Sequence, residues 1–210
     1  MQQYVVVVPV KPPAVGKSRL VGPDDHLRRD LAEAFALDTA AACLAASRVA
    51  EVLVVTDDAH FAARLAALGC TCVPDGDSRG LNPALRQAVA EAGRRWPALL
   101  PAAVLADLPA LRPADLDEAL GAATPDGPSF VADADGTGTT LYTSPTDAFD
   151  PAFGPDSARA HRLGGALALR GGLVSLRRDV DDLDDLHEAA SLGLGPETAR
   201  LAQQLFGTPD

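Results

Sequence analysis

Lys11 and Lys17 are the only lysines among the 18 basic residues of this chain, and both stand in its first loop, within "VVVVPVKPPAVGKSRL" (residues 5–20). With Arg19 they form a cationic loop after an apolar run, a position suited to an anion. The ending Gly16-Lys17-Ser18 is that of a phosphate-binding P-loop, but the first glycine of that motif is replaced by Lys11. Pro12 and Pro13 follow, and neither has an N–H to offer a phosphate. The loop therefore reads as an anion site of another design.

Carboxylates form the second group. Asp107 in "LADLP" follows directly on an apolar run. There it reads equally well as a ligand for a hard cation or as a turn or helix cap. Five aspartates lie in residues 179–185, and most of them suit the first turn of a helix, where the macrodipole favours negative charge. Asp179 lies upstream of that turn, at the expected end of a strand. With Asp107 it could hold Mg²⁺ between phosphates, since Mg²⁺ is usually bound by one or two carboxylates plus substrate oxygens. A third group is "FGPDSARAH": Gly154 can bring a backbone N–H close to a ligand, and Ser157 opens an expected helix whose free N–H groups would attract an anion. Plain capping by Asp156 or Ser157 explains the same residues. Thr139 and Thr140 could add a hydroxyl or simply be strand formers. His26, His60, His161 and His187 are scattered without ligand spacing and receive no role, and there is no G-x-S-x-G motif to suggest a serine nucleophile.

The elements that must position these residues alternate. Strands are expected at Val5 to Val8, Val52 to Val55, Cys70 to Val73 and Ala102 to Ala106. Helices are expected over 27–48, from a cap at Asp57 to a stop at Gly69, over Asn82 to Trp96 and over Pro113 to Leu120. Such alternation gives a largely parallel sheet with helices on both faces. Beyond residue 121 the pattern adds short strands at Ser129 to Asp133 and Thr139 to Thr143, joined by a hairpin-like turn. A helix near Asp156 to Leu169, a strand near Leu173 to Leu176 and two terminal helices complete the chain. In such open sheets ligands lie at the carboxyl ends of the strands, where the lysine loop, Thr56-Asp57 and Asp107 all fall.

The formal charge of −11 leaves no broad basic surface for nucleic acid. At 210 residues with 47% hydrophobic content, the expectation is one globular α/β domain spanning residues 1–210. No stretch approaches a membrane span or a signal peptide, so no membrane partner is expected. Three cysteines without a C-x-x-C pattern fit a reducing, cytoplasmic setting.

Together "PVKPPAVGKSRL", "GLNPALRQAV", "LADLPAL", "GTT", "FGPDSARAH" and "RDVDDLDDL" occur in the order seen in the guanylyltransferases of coenzyme F-420 biosynthesis, the 2-phospho-L-lactate guanylyltransferase family. The chain resembles their actinobacterial branch nearly end to end. That resemblance implies a GT-A-type nucleotidyltransferase fold, with a Rossmann-like, mostly parallel mixed sheet. It implies transfer of GMP from GTP to phosphoenolpyruvate, releasing pyrophosphate, with Mg²⁺ as cofactor. Lys11, Lys17 and Arg19 would then meet the triphosphate, Asn82 the nucleoside, and Thr139, Gly154 and Ser157 the phosphoenolpyruvate. Lys17, Asp107 and Asp179 would be catalytic, the two aspartates as metal ligands. 2-Phospho-L-lactate as acceptor, a P-loop-like NTPase and a non-catalytic nucleotide sensor stand as alternatives. Hand-over of the product to the next transferase of the pathway is left open.

Overall fold

The computed structural model describes residues 1–10, 25–76 and 80–206. One seven-stranded sheet in the order β3-β2-β1-β4-β6-β5-β7 organises them. The strands are β1 (Tyr4–Pro9), β2 (Val49–Val55), β3 (Thr71–Val73), β4 (Leu100–Val104), β5 (Ser129–Ala132), β6 (Thr139–Thr143) and β7 (Leu167–Ala168). β6 alone runs against its neighbours; β1 to β4 pair in parallel, as do β5 and β7.

The run of valines makes β1 the central strand because both of its faces are covered. Tyr4, Val6 and Val8 enter one core and Val5 and Val7 the other, so the strand is apolar without alternation. Helices α1 (Asp25–Ala45), α2 (Ala59–Leu68) and α4 (Pro113–Ala122) cover the first face, and α3 (Leu81–Arg95) and α5 (Ser157–Leu163) the second. Short α6 (Val174–Arg177) adds Leu176 to the first core. α7 (Leu183–Leu192) and α8 (Pro196–Phe206) form a further layer beyond α1. Leu31 and Phe35 face that layer, while Ala36, Leu37, Ala40 and Cys43 face the sheet, so α1 is apolar on two sides.

Three expectations are corrected. The cap of α2 is Asp58, which accepts from the Phe61 N–H at 2.9 Å, one residue after Asp57; Gly69 closes the helix with φ 110° as expected. The helix expected to reach Leu169 ends at Leu163, and Leu167–Ala168 pair with β5. Leu173 to Leu176 is not a strand. Leu173 and Leu176 are buried while Val174 is 55% exposed, a spacing of three that belongs to a helix. Asp115 caps this turn by accepting from both the N–H and the hydroxyl of Ser175.

Candidate active site

Among the described residues, Asp107, Asp179 and Thr139 come to the carboxyl edge of the sheet from separate parts of the chain. Asp107 follows β4, in a loop that Thr39 of α1 holds: its hydroxyl donates to the Ala106 carbonyl at 3.3 Å and accepts from the Leu108 N–H at 3.1 Å. Asp179 follows α6 rather than a strand. The next residue, Val180, is fully buried against α1 and the terminal helices, and its N–H donates to the Asp107 carbonyl at 3.0 Å. Two distant segments are thereby tied backbone to backbone at their candidate ligands.

The electrostatics of this pair are those of crowded acids. Burial pushes the Asp179 carboxyl up to about 7, and the neighbouring charges of Asp107, Asp133 and Asp181 push in the same direction. Among the described residues no group of three or more His, Cys, Asp or Glu side chains is placed to hold a metal, and Asp133 is bound to its own turn, so a hard divalent cation here would rest on Asp107 and Asp179 with substrate oxygens completing its shell. The remaining aspartates behave differently. Asp182 accepts from the Asp185 N–H at 3.0 Å and Asp185 reaches back to Asp182, a capping box that starts α7.

Asp133, which sequence reasoning passed over, links the acids to the third group. Its carboxylate accepts from the Thr137 and Gly138 N–H groups at 2.9 and 2.6 Å, closing the β5–β6 turn just before Thr139. Like Asp107 it follows a buried strand, and that was its signal. Arg177 steadies the same region, donating to the carbonyls of Ala132 and Leu169 at 2.8 and 2.9 Å.

Thr139 reaches this edge because β6 is antiparallel, so its first residue lies beside the last of β5. Val131 pairs with Leu141, but Ala132 pairs with Thr139, leaving Thr140 as an extra residue. This bulge turns Thr139 toward the face of Phe130 and Ala132, as bulges commonly re-aim a side chain. There the Thr139 hydroxyl meets His161 Nδ1 at 2.9 Å.

Gly154 is exposed at φ 137°, a left-handed conformation that favours glycine, and a Cβ built there would meet nothing within 4 Å. The backbone is thus open to close approach. Ser157 is 2% exposed, and its N–H donates to the Gly154 carbonyl at 3.2 Å. The Ala158 and Arg159 N–H groups bond Thr137 and Asp156 carbonyls at 3.0 Å. The expected free helix start is therefore corrected: the first donors of α5 are spent within the protein. Asn82, on the first turn of α3, donates to the Phe153 carbonyl at 2.9 Å and accepts from the Phe153 N–H at 2.8 Å. It joins α3 to the Gly154 loop. Lys11, Lys17 and Arg19 lie outside the described residues.

His161 was missed as well, although it lies one helical turn beyond Ser157. It is 3% exposed, stacked on Tyr142 with centroids 4.7 Å apart, and flanked by Phe130 and Phe153, each at 5.6 Å. Burial pulls its imidazole down to about 4, with a Ser157 backbone bond opposing, so the ring is neutral at ordinary pH.

A mostly parallel sheet with carboxylates at its carboxyl edge is a frame that can bind a nucleotide beyond the ends of its strands. A MobA-like NTP transferase domain matches residues 14–178. The phosphoenolpyruvate guanylyltransferase of Thermomonospora curvata is 52% identical over 205 residues, covering 96% of this chain and 90% of the relative. A solved structure described as a nucleotide-diphospho-sugar transferase, from Desulfovibrio desulfuricans G20, shares the fold with a TM-score of 0.70 at 18% identity, over 97% of this chain and 95% of that one. Rv0371C of Mycobacterium tuberculosis H37Rv, solved in complex with manganese, shares it with a TM-score of 0.52 at 21% identity, over 91% of this chain and 100% of that one. The chain is a nucleotidyltransferase with the GT-A-type fold, and it belongs to the MobA-like NTP transferases and, among them, to the phosphoenolpyruvate guanylyltransferase family. Among the described residues no helix is long and apolar enough to cross a membrane.

Proposed function

We propose that this enzyme transfers GMP from GTP to phosphoenolpyruvate, giving enolpyruvyl-diphospho-guanosine and pyrophosphate, as a step in making coenzyme F-420. The observation that carries the reading is the joining of Asp107 and Asp179 at the sheet edge, through the Val180 N–H and Asp107 carbonyl, beside the turn that presents Thr139. An acceptor phosphate oxygen attacks the α-phosphorus of GTP in line, and the pyrophosphate leaves. Such a reaction needs no protein nucleophile; positioning and charge neutralisation suffice.

Lys17, with Lys11 and Arg19, neutralises the triphosphate and the leaving pyrophosphate. Asp107 and Asp179 would hold Mg²⁺, which when bound screens the repulsion between two anions and orients them. The Thr139 hydroxyl, the open Gly154 backbone and the Ser157 side chain form the acceptor site. Asn82 keeps that site beside α3 and has a second amide hydrogen left for the nucleoside. A cytoplasmic setting agrees with the three unpaired cysteines.

The test is pyrophosphate release from GTP with phosphoenolpyruvate or 2-phospho-L-lactate, with the product identified by mass spectrometry. We expect pyrophosphate only when an acceptor is present, and a higher kcat/KM for phosphoenolpyruvate. Orthophosphate release without acceptor would point to an NTPase, and equal kcat/KM for the two acids would overturn the choice of acceptor.

A further inference from the structure

We propose that His161 is a positioning residue that holds the Thr139 hydroxyl with its oxygen toward the ring, leaving its hydrogen to be donated to the acceptor anion. The inference rests on the reading of Thr139 as part of the acceptor site. Its first support is a hydrogen-bond count. The Ala152 N–H donates to His161 Nε2 at 2.9 Å, so that nitrogen carries no proton. A neutral imidazole then carries its one proton on Nδ1. Nδ1 lies 2.9 Å from the Thr139 hydroxyl oxygen, so its one proton is shared between that oxygen and the Ser157 carbonyl, and the hydroxyl has no acceptor on the ring to which it could donate. A hydroxyl that accepts from the ring keeps its own hydrogen for another partner.

The second support is rigidity. Stacking on Tyr142 and contacts with Phe130 and Phe153 hold the ring on three sides, and a 3% exposed imidazole has no room to turn over. The same Nε2 bond fastens Ala152, two residues before Gly154. One side chain thus sets a hydroxyl donor and a backbone approach on the same acceptor. A neutral ring also suits the task, because it orders the donor without placing a titrating charge beside a substrate that is already anionic.

Asn and Gln separate the two bonds, since the Asn amide reaches where Nδ1 stands and the Gln amide where Nε2 stands. His161→Gln keeps an acceptor for Ala152 but loses the donor to Thr139. We expect it to raise the apparent KM for phosphoenolpyruvate about tenfold, the size of one ordinary hydrogen bond, with the KM for GTP within about twofold. His161→Asn restores a donor to Thr139 and should bring the acceptor KM back to within about threefold of the parent. Thr139→Val should match His161→Gln, and the double variant should be no worse than either single one. In the unmodified protein, nitrogen-15 NMR should find the His161 proton on Nδ1, a readout that does not depend on any variant folding.

A proton on Nε2, or equal acceptor KM values for the Asn and Gln variants, would overturn the inference. Should Thr139→Val raise that KM while His161→Gln does not, the inference alone fails. If Thr139→Val leaves the KM of both phospho-acids unchanged, the acceptor-site reading fails and takes this inference with it.

Discussion

Asp107 and Asp179 come from distant segments to one edge of the sheet, where burial, helped by the charge of Asp107, holds the Asp179 carboxyl up at about 7. Replacing either by Asn should abolish metal-dependent turnover, because a neutral amide is a poorer ligand for a hard cation. Partial rescue by raised Mg²⁺ is expected for both. Asp184→Asn, in the first turn of α7, should leave turnover near the parent value. Equal damage from Asp184→Asn would show that the acidic run acts as a whole, against the separate role of Asp179. Lys17→Ala should lower kcat by about a hundredfold with the fold intact, the usual effect of losing one preorganised charge partner. Steady-state kinetics with circular dichroism as the folding control checks all four variants. The expectation for Lys17 comes from the scarcity of lysine in the rest of this chain, and the residue itself lies outside the described ones.

α3 and α5 share one loop, Ala152 to Gly154, and hold it between them. Asn82 bonds the backbone of Phe153 with both amide atoms, and His161 bonds Ala152, so the approach to Gly154 is held from two helices. Asn82→Ala should therefore raise the KM for the acceptor about tenfold as well as weakening GTP, because two bonds to one backbone residue are lost together. An effect confined to GTP would reduce Asn82 to a nucleoside contact. Much of this scaffold was readable beforehand. The valine run of β1, the glycine stop of α2 and the strand–helix alternation up to α4 are local signals, and the structure follows them. Where local signals conflict with pairing, reading fails. The bulge at Thr140 depends on register with β5, which no stretch of β6 encodes alone. Leu173 to Leu176 looked like a strand because four residues hardly distinguish a period of two from one of three, and the deciding cap, Asp115, lies far away in sequence. The free helix start at Ser157 was misread for the same reason: Thr137, which takes the Ala158 N–H, lies on another element.

For the whole molecule the acceptor side is an aromatic cluster, and its stability is bound to the charge state of one ring. Phe130 of β5, Tyr142 of β6, Phe149 and Phe153 of the connecting segment all belong to the core that His161 enters from α5. The charges near that cluster are the Arg162 guanidinium, 5.5 Å over the Phe130 ring, and Asp150, close enough to act on Tyr142. Neither offers the buried imidazole an ion pair, so protonation would place an uncompensated charge in the core. The folded-state value of about 4 lies below the ordinary 6.5, so between those two values the unfolded chain binds the extra proton. This contribution to stability is fully present above pH 6.5 and is lost as the pH falls toward 4, by on the order of 3 kcal/mol at most. Because the ring packs against Phe130 of β5, Tyr142 of β6 and Phe153, which belong to the core on this face of the sheet, the loss should register in global unfolding rather than only at the acceptor site. Urea unfolding of the parent and of His161→Gln, followed from neutral pH to about pH 4.5, isolates the effect from the carboxylates that both proteins share. The parent's advantage over the variant should shrink steadily through that window. A difference that stays constant with pH would mean that the ring is not held neutral by its burial, and the aromatic cluster would not then be the source of acid sensitivity.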